Sequence, residues 1–495
     1  MSADQSRVRI RLEPLSVEVE IPRGGSLLAG LADHGVEFPC GGTALCGGCG
    51  VRVLAGSLDI TEPDRAVFTL EQLADGWRLA CQARAEEQLV LECGQWRMDV
   101  LTDDAGLVPA GKHGLAIAID LGTTTIAAQM IDLASGNVLA VETGLNPQAA
   151  HGSDVMSRIL AVLNGADLTT GIRAALGLTV DRLARGRQAE IAEVILVGNT
   201  VMHHLFSGLS VEPLAHVPFE SPHLAEQRFT ARQLGWNLSE TCTIRFARCL
   251  GGFVGADTLA GIVATGITRG DCLIALVDLG TNGEIAIGNR SGVVCASTAA
   301  GPAFEAGSIR MGMRAVTGAI SHVELVDHSL RSTVIGDVEP RGICGSGLVD
   351  AVAAGLASGA ILASGRVAGE TRILPVSGTV VLYQADIREL QLAKAAIAAG
   401  IRLLLNRIGA GASDLQAIHL AGAFGNYVQI ESANRIGLIE APRERVESAG
   451  NTALRGAKML LLAGKDPALP PIEHVSLAAL PEFQDEFANC MTFPS

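Results

Sequence analysis

Leu115-Ala-Ile-Ala-Ile-Asp-Leu-Gly-Thr-Thr-Thr125 sets the reading of this chain, because its pattern returns 158 residues later as Leu273-Ile-Ala-Leu-Val-Asp-Leu-Gly-Thr-Asn-Gly283. Each is an apolar run closed by an aspartate and a tight glycine turn, the signature of a buried strand entering a loop. A second strand, Ile126 to Ile131, follows the first copy, then a turn at Ala134-Ser-Gly136 and a third strand from Val138. The second copy repeats the order with Glu284 to Ile287, a turn at Asn289 to Gly292, and Val293 to Ala296. Farther on, each copy has one more strand running into a glycine turn, Val194-Ile-Leu-Val-Gly-Asn-Thr200 and Ile418-His-Leu-Ala-Gly-Ala-Phe-Gly425. The expectation is a duplicated α/β fold of two β-β-β-α-β-α halves, the second carrying an insertion from Pro302 to Val381.

Upstream, the pattern changes. Val8, Ile10 and Leu12 alternate with Arg7, Arg9 and Arg11, and Val17, Val19 and Ile21 alternate with Glu18 and Glu20. Period two with one apolar face predicts a hairpin. Ser26 can cap a short helix from Leu27 to His34, and a strand is expected at Val51 to Leu54. From Gln95 to Gly114 no period holds, and Asp103-Asp104, Pro109 and Gly111 read as a linker. The expected organisation is a small domain over residues 1–94, a linker over 95–113, a first half over 114–270 and a second half over 271–495, with the insertion near 302–381.

Across 495 residues, 52 Asp+Glu face 37 Lys+Arg, a net charge of −15. That balance excludes a nonspecific nucleic-acid binder, which needs a basic surface against phosphates. No uncharged stretch reaches the ~18–20 apolar residues that span a bilayer, so no membrane partner is expected. The N-terminus lacks the apolar core of a signal peptide, which predicts a cytoplasmic protein. Eleven cysteines, an odd number, argue for metal ligation or buried thiols rather than a disulfide framework.

Five of those cysteines fall in the first hundred residues. Cys40, Cys46 and Cys49 share one loop, Cys-Gly-Gly-Thr-Ala-Leu-Cys-Gly-Gly-Cys-Gly, and Cys81 follows in Leu79-Ala-Cys-Gln82. Three thiolates on a glycine-rich loop plus a distant fourth can wrap a [2Fe–2S] cluster, the glycines letting backbone N–H groups turn toward its sulfurs. A structural zinc site is the alternative, but it ordinarily uses two close cysteine pairs and only one is present. Cys93 competes with Cys81 as fourth ligand and reads better as a small core residue. This segment resembles the ferredoxins of the β-grasp fold, with the adrenodoxin-type first gap.

The duplicated loops carry a different chemistry. Small residues after Asp120 and Asp278 let backbone amides and Thr hydroxyls approach phosphate oxygens. Two such loops from facing halves can clamp a phosphate chain, and the two carboxylates can hold Mg²⁺ through water. The arrangement resembles the actin, hexokinase and acetate-kinase superfamily of ATPases from about Gly114 onward. That resemblance implies ATP as ligand. It makes Asp120, Gly122, Thr123 and Thr124 the first phosphate motif, and Asp278, Gly280, Thr281, Asn282 and Gly283 the second. Gly422, Ala423 and Gly425 would back the adenosine. Ile343-Cys-Gly-Ser-Gly-Leu348 either adds backbone donors near the nucleotide, Gly345 among them, or simply begins a helix. Glu284 reads as a solvated or paired side chain, and His203-His204 as ordinary helix residues, since no HExxH-like set accompanies them.

An electron carrier joined to an ATP clamp suggests nucleotide-gated electron transfer. A plant-type cluster sits near −400 mV, and an acceptor ~100 mV lower costs about 2.3 kcal/mol per electron. Conformational coupling of about 1–3 kcal/mol is of that size.

The combination resembles the reductive activators of corrinoid proteins. The segments Asn146-Pro-Gln148, Gly152 to Arg158, Val197-Gly-Asn-Thr200, Gly252-Phe-Val-Gly-Ala-Asp257 and Gly301-Pro-Ala-Phe-Glu305 resemble that family in their order as well. The resemblance implies reduction of a Co(II) corrinoid to Co(I). The partners would be a corrinoid protein of a methyltransferase system and an upstream electron donor; a homodimer stays open. Some members carry a separate middle domain, for which Gln95 to Gly114 leaves no room. Three other functions compete: a small-molecule kinase with a fused redox domain, a dehydratase-type activator, and a plain electron carrier. The second needs an intersubunit cluster that Cys242, Cys249 and Cys344 do not obviously supply. The third leaves both Gly-Thr loops without a purpose.

Overall fold

The computed structural model describes residues 7–13, 17–31, 44, 49–93, 111–152, 154–280, 282–313, 315, 318–327, 329–336, 338–425, 427–463 and 468–494. The expected hairpin is formed by Arg7–Glu13 and Val17–Pro22, with Ile10 opposite Val19 and Arg9 opposite Glu20. It lies at one side of a five-stranded sheet ordered Val17–Pro22, Arg7–Glu13, Leu89–Cys93, Gly50–Ala55, Trp77–Leu79. Arg7–Glu13 and Leu89–Cys93 run parallel, and the helix Leu27–Leu31 covers the apolar face. Ile10, Leu12, Leu27, Leu31, Val51, Leu79 and Leu91 fill this core, each almost wholly buried. The period-two alternation seen in the sequence is thus the inside-outside alternation of the sheet. The expected end of the short helix at His34, and the linker through residue 110, lie outside the described residues.

The duplication is real in three dimensions. The first half is a six-stranded sheet ordered Val138–Leu145, Thr125–Asp132, Leu115–Leu121, Ile191–Val197, Thr243–Phe246, Gln227–Phe229. The second is ordered Val446–Gly450, Leu415–Ala421, Leu273–Leu279, Gly283–Asn289, Gly292–Thr298, Ile472–His474. Five strands correspond one to one: an antiparallel three-strand unit whose first strand pairs in parallel with the later strand. The sixth strand sits on opposite sides in the two sheets. Because the pairing is equivalent, Val197 lies opposite Asp120 and Ala421 opposite Asp278. Each later glycine turn therefore arrives beside its own aspartate.

Two helices join the halves. Ala256–Thr265 belongs to the first half and Thr452–Leu462 to the second. Their backbones approach so closely that a Cβ at Gly456 would stand 2.0 Å from the Ala260 carbonyl oxygen. The insertion holds a small sheet of Ala319–Val326, Ser329–Val334 and Gly342–Ile343, a hairpin of Ile373–Ser377 and Val380–Tyr383, and the helix Gly345–Ala357. That helix starts at Gly345, three residues before the apolar run suggested. The long helix Gln384–Arg407 lies across the second sheet. Among the described residues, no helix is long and apolar enough to cross a membrane.

Candidate functional sites

Cys49 sits at the head of the strand Gly50–Ala55, fully buried, and Cys81 lies half-buried in the turn Ala80–Gln82. Strand pairing puts Gly50 opposite Leu79, and the Ala80 amide donates to the Cys49 carbonyl at 3.1 Å. Two proposed ligands 32 positions apart are thereby brought to one end of the sheet. Cys40 and Cys46 lie outside the described residues. Cys93 is buried in the core opposite Val51, and burial pushes its thiol up to about 12. It has the surroundings of a core residue, as expected. A soft dithiolate pair on a sheet end, one sulfur buried and one reachable, fits an iron–sulfur group.

The first phosphate loop is held from behind by buried polar side chains. The Gly122 amide donates to the Thr125 carbonyl at 3.0 Å, and a Cβ on Gly122 would lie 2.6 Å from that oxygen, so the turn admits only glycine. Asn146 Nδ2 donates to the Gly122 carbonyl at 2.9 Å. Arg158 Nη2 donates to the Thr123 carbonyl at 2.5 Å, and Asn199 Nδ2 to the Thr123 hydroxyl at 2.8 Å. Asn146 and Arg158 are completely buried and Asn199 nearly so. Burial lowers the Arg158 guanidinium to about 10, which leaves it charged at neutral pH. Three family-like segments thus have one physical task, namely holding this loop rigid.

The second loop is braced differently. The Gly280 amide donates to the Asn282 carbonyl at 3.1 Å, and Gly283 packs so tightly that a Cβ would stand 1.9 Å from Ile397 Cδ1. Thr281 lies outside the described residues. Gly422, at φ +83°, faces Asp278: a Cβ there would come 2.6 Å from Asp278 Oδ1. The turn Gly422–Gly425 therefore meets the second loop through Gly422. Beside Gly425 opens a cavity of about 220 Å³ lined by Leu420, Val428, Gln429, Ile430, Arg443 and Ser448. Gly345 reaches the same neighbourhood. A Cβ on it would collide with the Phe304 carbonyl at 1.7 Å and meet the Phe424 ring at 3.3 Å. The Ile343–Leu348 segment begins a helix, and it does so against the proposed adenosine turn.

Four carboxylates gather where the halves meet. Asp120, Asp257, Asp278 and Glu284 are each half-buried. Burial pushes Asp120 up to about 7; an Asn451 amide at 2.9 Å opposes the shift, and Asp257 and Asp278 add repulsion. Burial and then Asp257 push Asp278 up to about 7. Asp257 rises to about 6 through burial, opposed by the Thr258 amide at 2.7 Å. Glu284 is raised through burial and through Asp257 and Asp278, while the Ser297 hydroxyl at 3.3 Å opposes the rise. Glu284 is thus part of this acidic junction, paired with Ser297, and its strand position opposite Asp278 turns it inward. Among the described residues, no three His, Cys, Asp or Glu side chains stand close enough to hold a metal ion directly. The acidic set fits a cation held through water rather than by a closed protein cage. Asp257 closes the family-like segment Gly252–Asp257 without a role assigned from sequence, and Asn451 was not singled out; in the structure Asp257 lies in the first turn of its helix and Asn451 caps its own.

His203 and His204 lie in the helix Thr200–Ser207, wholly buried. Burial lowers His203 to about 4, and its ring packs edge-on against Phe246. Both are core residues, as the sequence suggested.

With this geometry in place, comparison with known proteins is decisive. A corrinoid activation enzyme, RamQ, from Eubacterium limosum is 36% identical over 413 residues, 75% of this chain and 69% of that protein. The chain belongs to the reductive activators of corrinoid proteins. Three family models agree along its length: a 2Fe-2S iron-sulfur cluster binding domain over residues 10–86, the RACo middle region over 115–270, and the C-terminal domain of RACo, the ASKHA domain, over 272–495. The [Co(II) methylated amine-specific corrinoid protein] reductase of Methanosarcina barkeri is 27% identical over 70% of this chain and 69% of its own length. A solved structure of a reductive activator for corrinoid, iron-sulfur protein superposes with a TM-score of 0.65 at 26% identity, covering 98% of both chains. The short linker implied no room for a middle domain. The match puts the family's middle region on the first six-stranded half instead. With the family shown, the kinase, dehydratase-activator and plain-carrier readings are set aside.

Proposed function

We propose that this activator reduces the Co(II) form of a corrinoid protein to Co(I), one electron at a time, and that ATP bound between the two halves gates the transfer. The observation that carries the nucleotide part is the convergence of both glycine turns and four carboxylates where the halves meet. A bound [2Fe–2S] cluster would supply the one-electron chemistry, held by Cys40, Cys46, Cys49 and Cys81.

The remaining tasks fall to the chain's own residues. Gly122, Thr123 and Thr124 receive one side of the phosphate chain, and Gly280, Thr281, Asn282 and Gly283 the other. Asp120 and Asp278 would hold Mg²⁺ through water, with Asp257 and Glu284 adding negative charge at the same junction. Gly422, Ala423 and Gly425 back the adenosine, with the cavity beside Gly425 taking the base; Gly345 closes that pocket from the insertion. A bound cation would offset the repulsion among the four acids, and the Asn451 side chain of the second half already holds Asp120 of the first at 2.9 Å.

The partner is a corrinoid protein of a methyltransferase system, and the specificity in the Methanosarcina relative's name makes the methylated-amine class the first to try. An upstream donor re-reduces the cluster, and the reaction is placed in the cytoplasm. The test is anaerobic visible spectroscopy of such a corrinoid protein in the Co(II) state, mixed with the reduced activator. Co(I) absorption should grow when Mg·ATP is added and stay flat with ADP. Equal growth under both conditions would refute the gating.

A further inference from the structure

A second site lies outside the inter-half junction. The start of the helix Gln384–Arg407 and the turn before the insertion's last hairpin flank an open surface depression of about 490 Å³. Arg366, Arg372 and Arg388 line it, together with Ser364, Gln384 and Gln391. All three arginines are exposed. None of their guanidinium groups forms an ion pair or side-chain hydrogen bond among the described residues. In the same half Arg290, Arg402, Arg407 and Arg443 each reach a carboxylate. The nearby Asp386 carboxylate is already engaged, accepting from the Arg310 amide at 2.9 Å and the Tyr383 amide at 2.8 Å.

The wall that presents Arg366 is rigid. Gln384 Nε2 donates to the Gly365 carbonyl at 2.8 Å, while its Oε1 accepts from the Val367 amide at 3.0 Å. Gln391, nearly fully buried, donates from Nε2 to the carbonyls of Met491 at 2.7 Å and Ser364 at 3.3 Å. Gly365 has φ +82°, and a Cβ on it would lie 2.2 Å from Gln391 Oε1, so the turn requires glycine. The Phe493 amide donates to the Ala363 carbonyl at 2.8 Å, closing the turn from the C-terminal side. Three like charges around one depression repel one another, and an anion between them relieves that repulsion.

We propose that this depression is an anion site for a small molecule bearing two or more phosphate or carboxylate groups, distinct from the nucleotide site. Arg388 is nine residues from Ile397, which packs on Gly283, and at 1.5 Å per residue that is about 14 Å along the helix.

The test is calorimetric titration of the cluster-loaded full chain with inorganic pyrophosphate, after the nucleotide site has been filled with a non-hydrolysable ATP analogue. One added site is expected, with affinity falling as salt rises. The Arg366→Gln/Arg388→Gln double variant should weaken it by about tenfold or more, which is about 1.4 kcal/mol or more. Nucleotide affinity and the cluster spectrum should not change. Should the double variant lose its cluster spectrum, Arg372→Gln alone is read by the same criterion. Absence of pyrophosphate binding, or equal binding by the variant, overturns the proposal. So does loss of the signal in Asp120→Ala, which would locate it in the nucleotide site. Binding of an acidic peptide without pyrophosphate would replace it with a protein-docking surface.

Discussion

The two phosphate loops descend from one repeated pattern, yet they are held by opposite means. Behind Asp120, three buried polar side chains (Asn146, Arg158 and Asn199) donate to the loop's carbonyls and hydroxyl, and Asn451 reaches the carboxylate itself. Behind Asp278, hydrocarbon and backbone fill the space through Ile397 and Gly422, and no hydrogen-bond donor reaches its carboxylate among the described residues. Directional hydrogen bonds fix a loop in one geometry, whereas apolar packing against one helix lets loop and helix shift together. We propose that the first half anchors the nucleotide and that the second, with the long helix beneath its loop, is the part that adjusts.

The largest effect expected concerns the separation between the redox module and both loops. Cys46→Ser should abolish the cluster's visible absorbance and all corrinoid reduction while ATP binding, followed by equilibrium dialysis, is retained. Loss of both properties would break the two-module account. Next come the aspartates. Asp120→Ala and Asp278→Ala should each weaken Mg·ATP binding by roughly 2–3 kcal/mol with the cluster spectrum intact. An unchanged nucleotide affinity in either would remove that residue from the site.

The contrast between the loops themselves is sharpened by Arg158→Met and Ile397→Ala. Arg158→Met leaves the Thr123 and Gly152 carbonyls without their donor and should cost about 2–4 kcal/mol in denaturant unfolding, with a matching loss of nucleotide affinity. Ile397→Ala leaves a cavity costing about 2–5 kcal/mol. Its nucleotide affinity should fall less for the same loss of stability, since the second loop can follow the helix. Equal ratios of affinity loss to stability loss would erase the distinction.

A separate effect is expected on pH dependence. Asp120 and Asp278 titrate near 7 in the fold against an ordinary 3.8. The folded state therefore keeps protons that the unfolded chain releases, and stability without nucleotide should fall as pH rises from about 4 to about 7. Thermal melts across that window should show the slope, Mg·ATP should flatten it, and Asp120→Asn should reduce it. A slope of the opposite sign, or one indifferent to Asp120, would contradict the junction's electrostatics. Asn451→Ala removes the donor that holds Asp120 down, so it should steepen the same slope.

How much of this was legible beforehand follows from which signals are local. The paired Asp-Leu-Gly-Thr turns and the alternating hairpin announced themselves because strand period and duplication are written in adjacent residues. The cysteine spacing was equally local. The braces were not. Asn146, Arg158, Asn199 and Asn451 come from four separate stretches, and nothing in a lone asparagine or arginine says that it will be buried against a loop tens or hundreds of residues away. Asp257 hid behind its role as a first-turn acid. Glu284 stayed open between a solvated and a paired side chain because its strand, taken alone, does not say which face looks into the junction. The insertion's helix began early because Gly345 and Gly347 permit a close approach to the carbonyls of Phe304 and Ile320 that hydropathy does not register.

The central claim is that nucleotide at the junction of the halves controls an electron leaving the cysteine-held cluster. Single-turnover anaerobic mixing of the pre-reduced activator with its Co(II) corrinoid partner, recording cluster and cobalt bands together, tests it most directly. The account predicts that cluster oxidation and Co(I) appearance proceed in equal amounts with Mg·ATP, and that both stall in Asp278→Ala. Co(I) formed to the same extent without nucleotide, or without matching oxidation of the cluster, would contradict it.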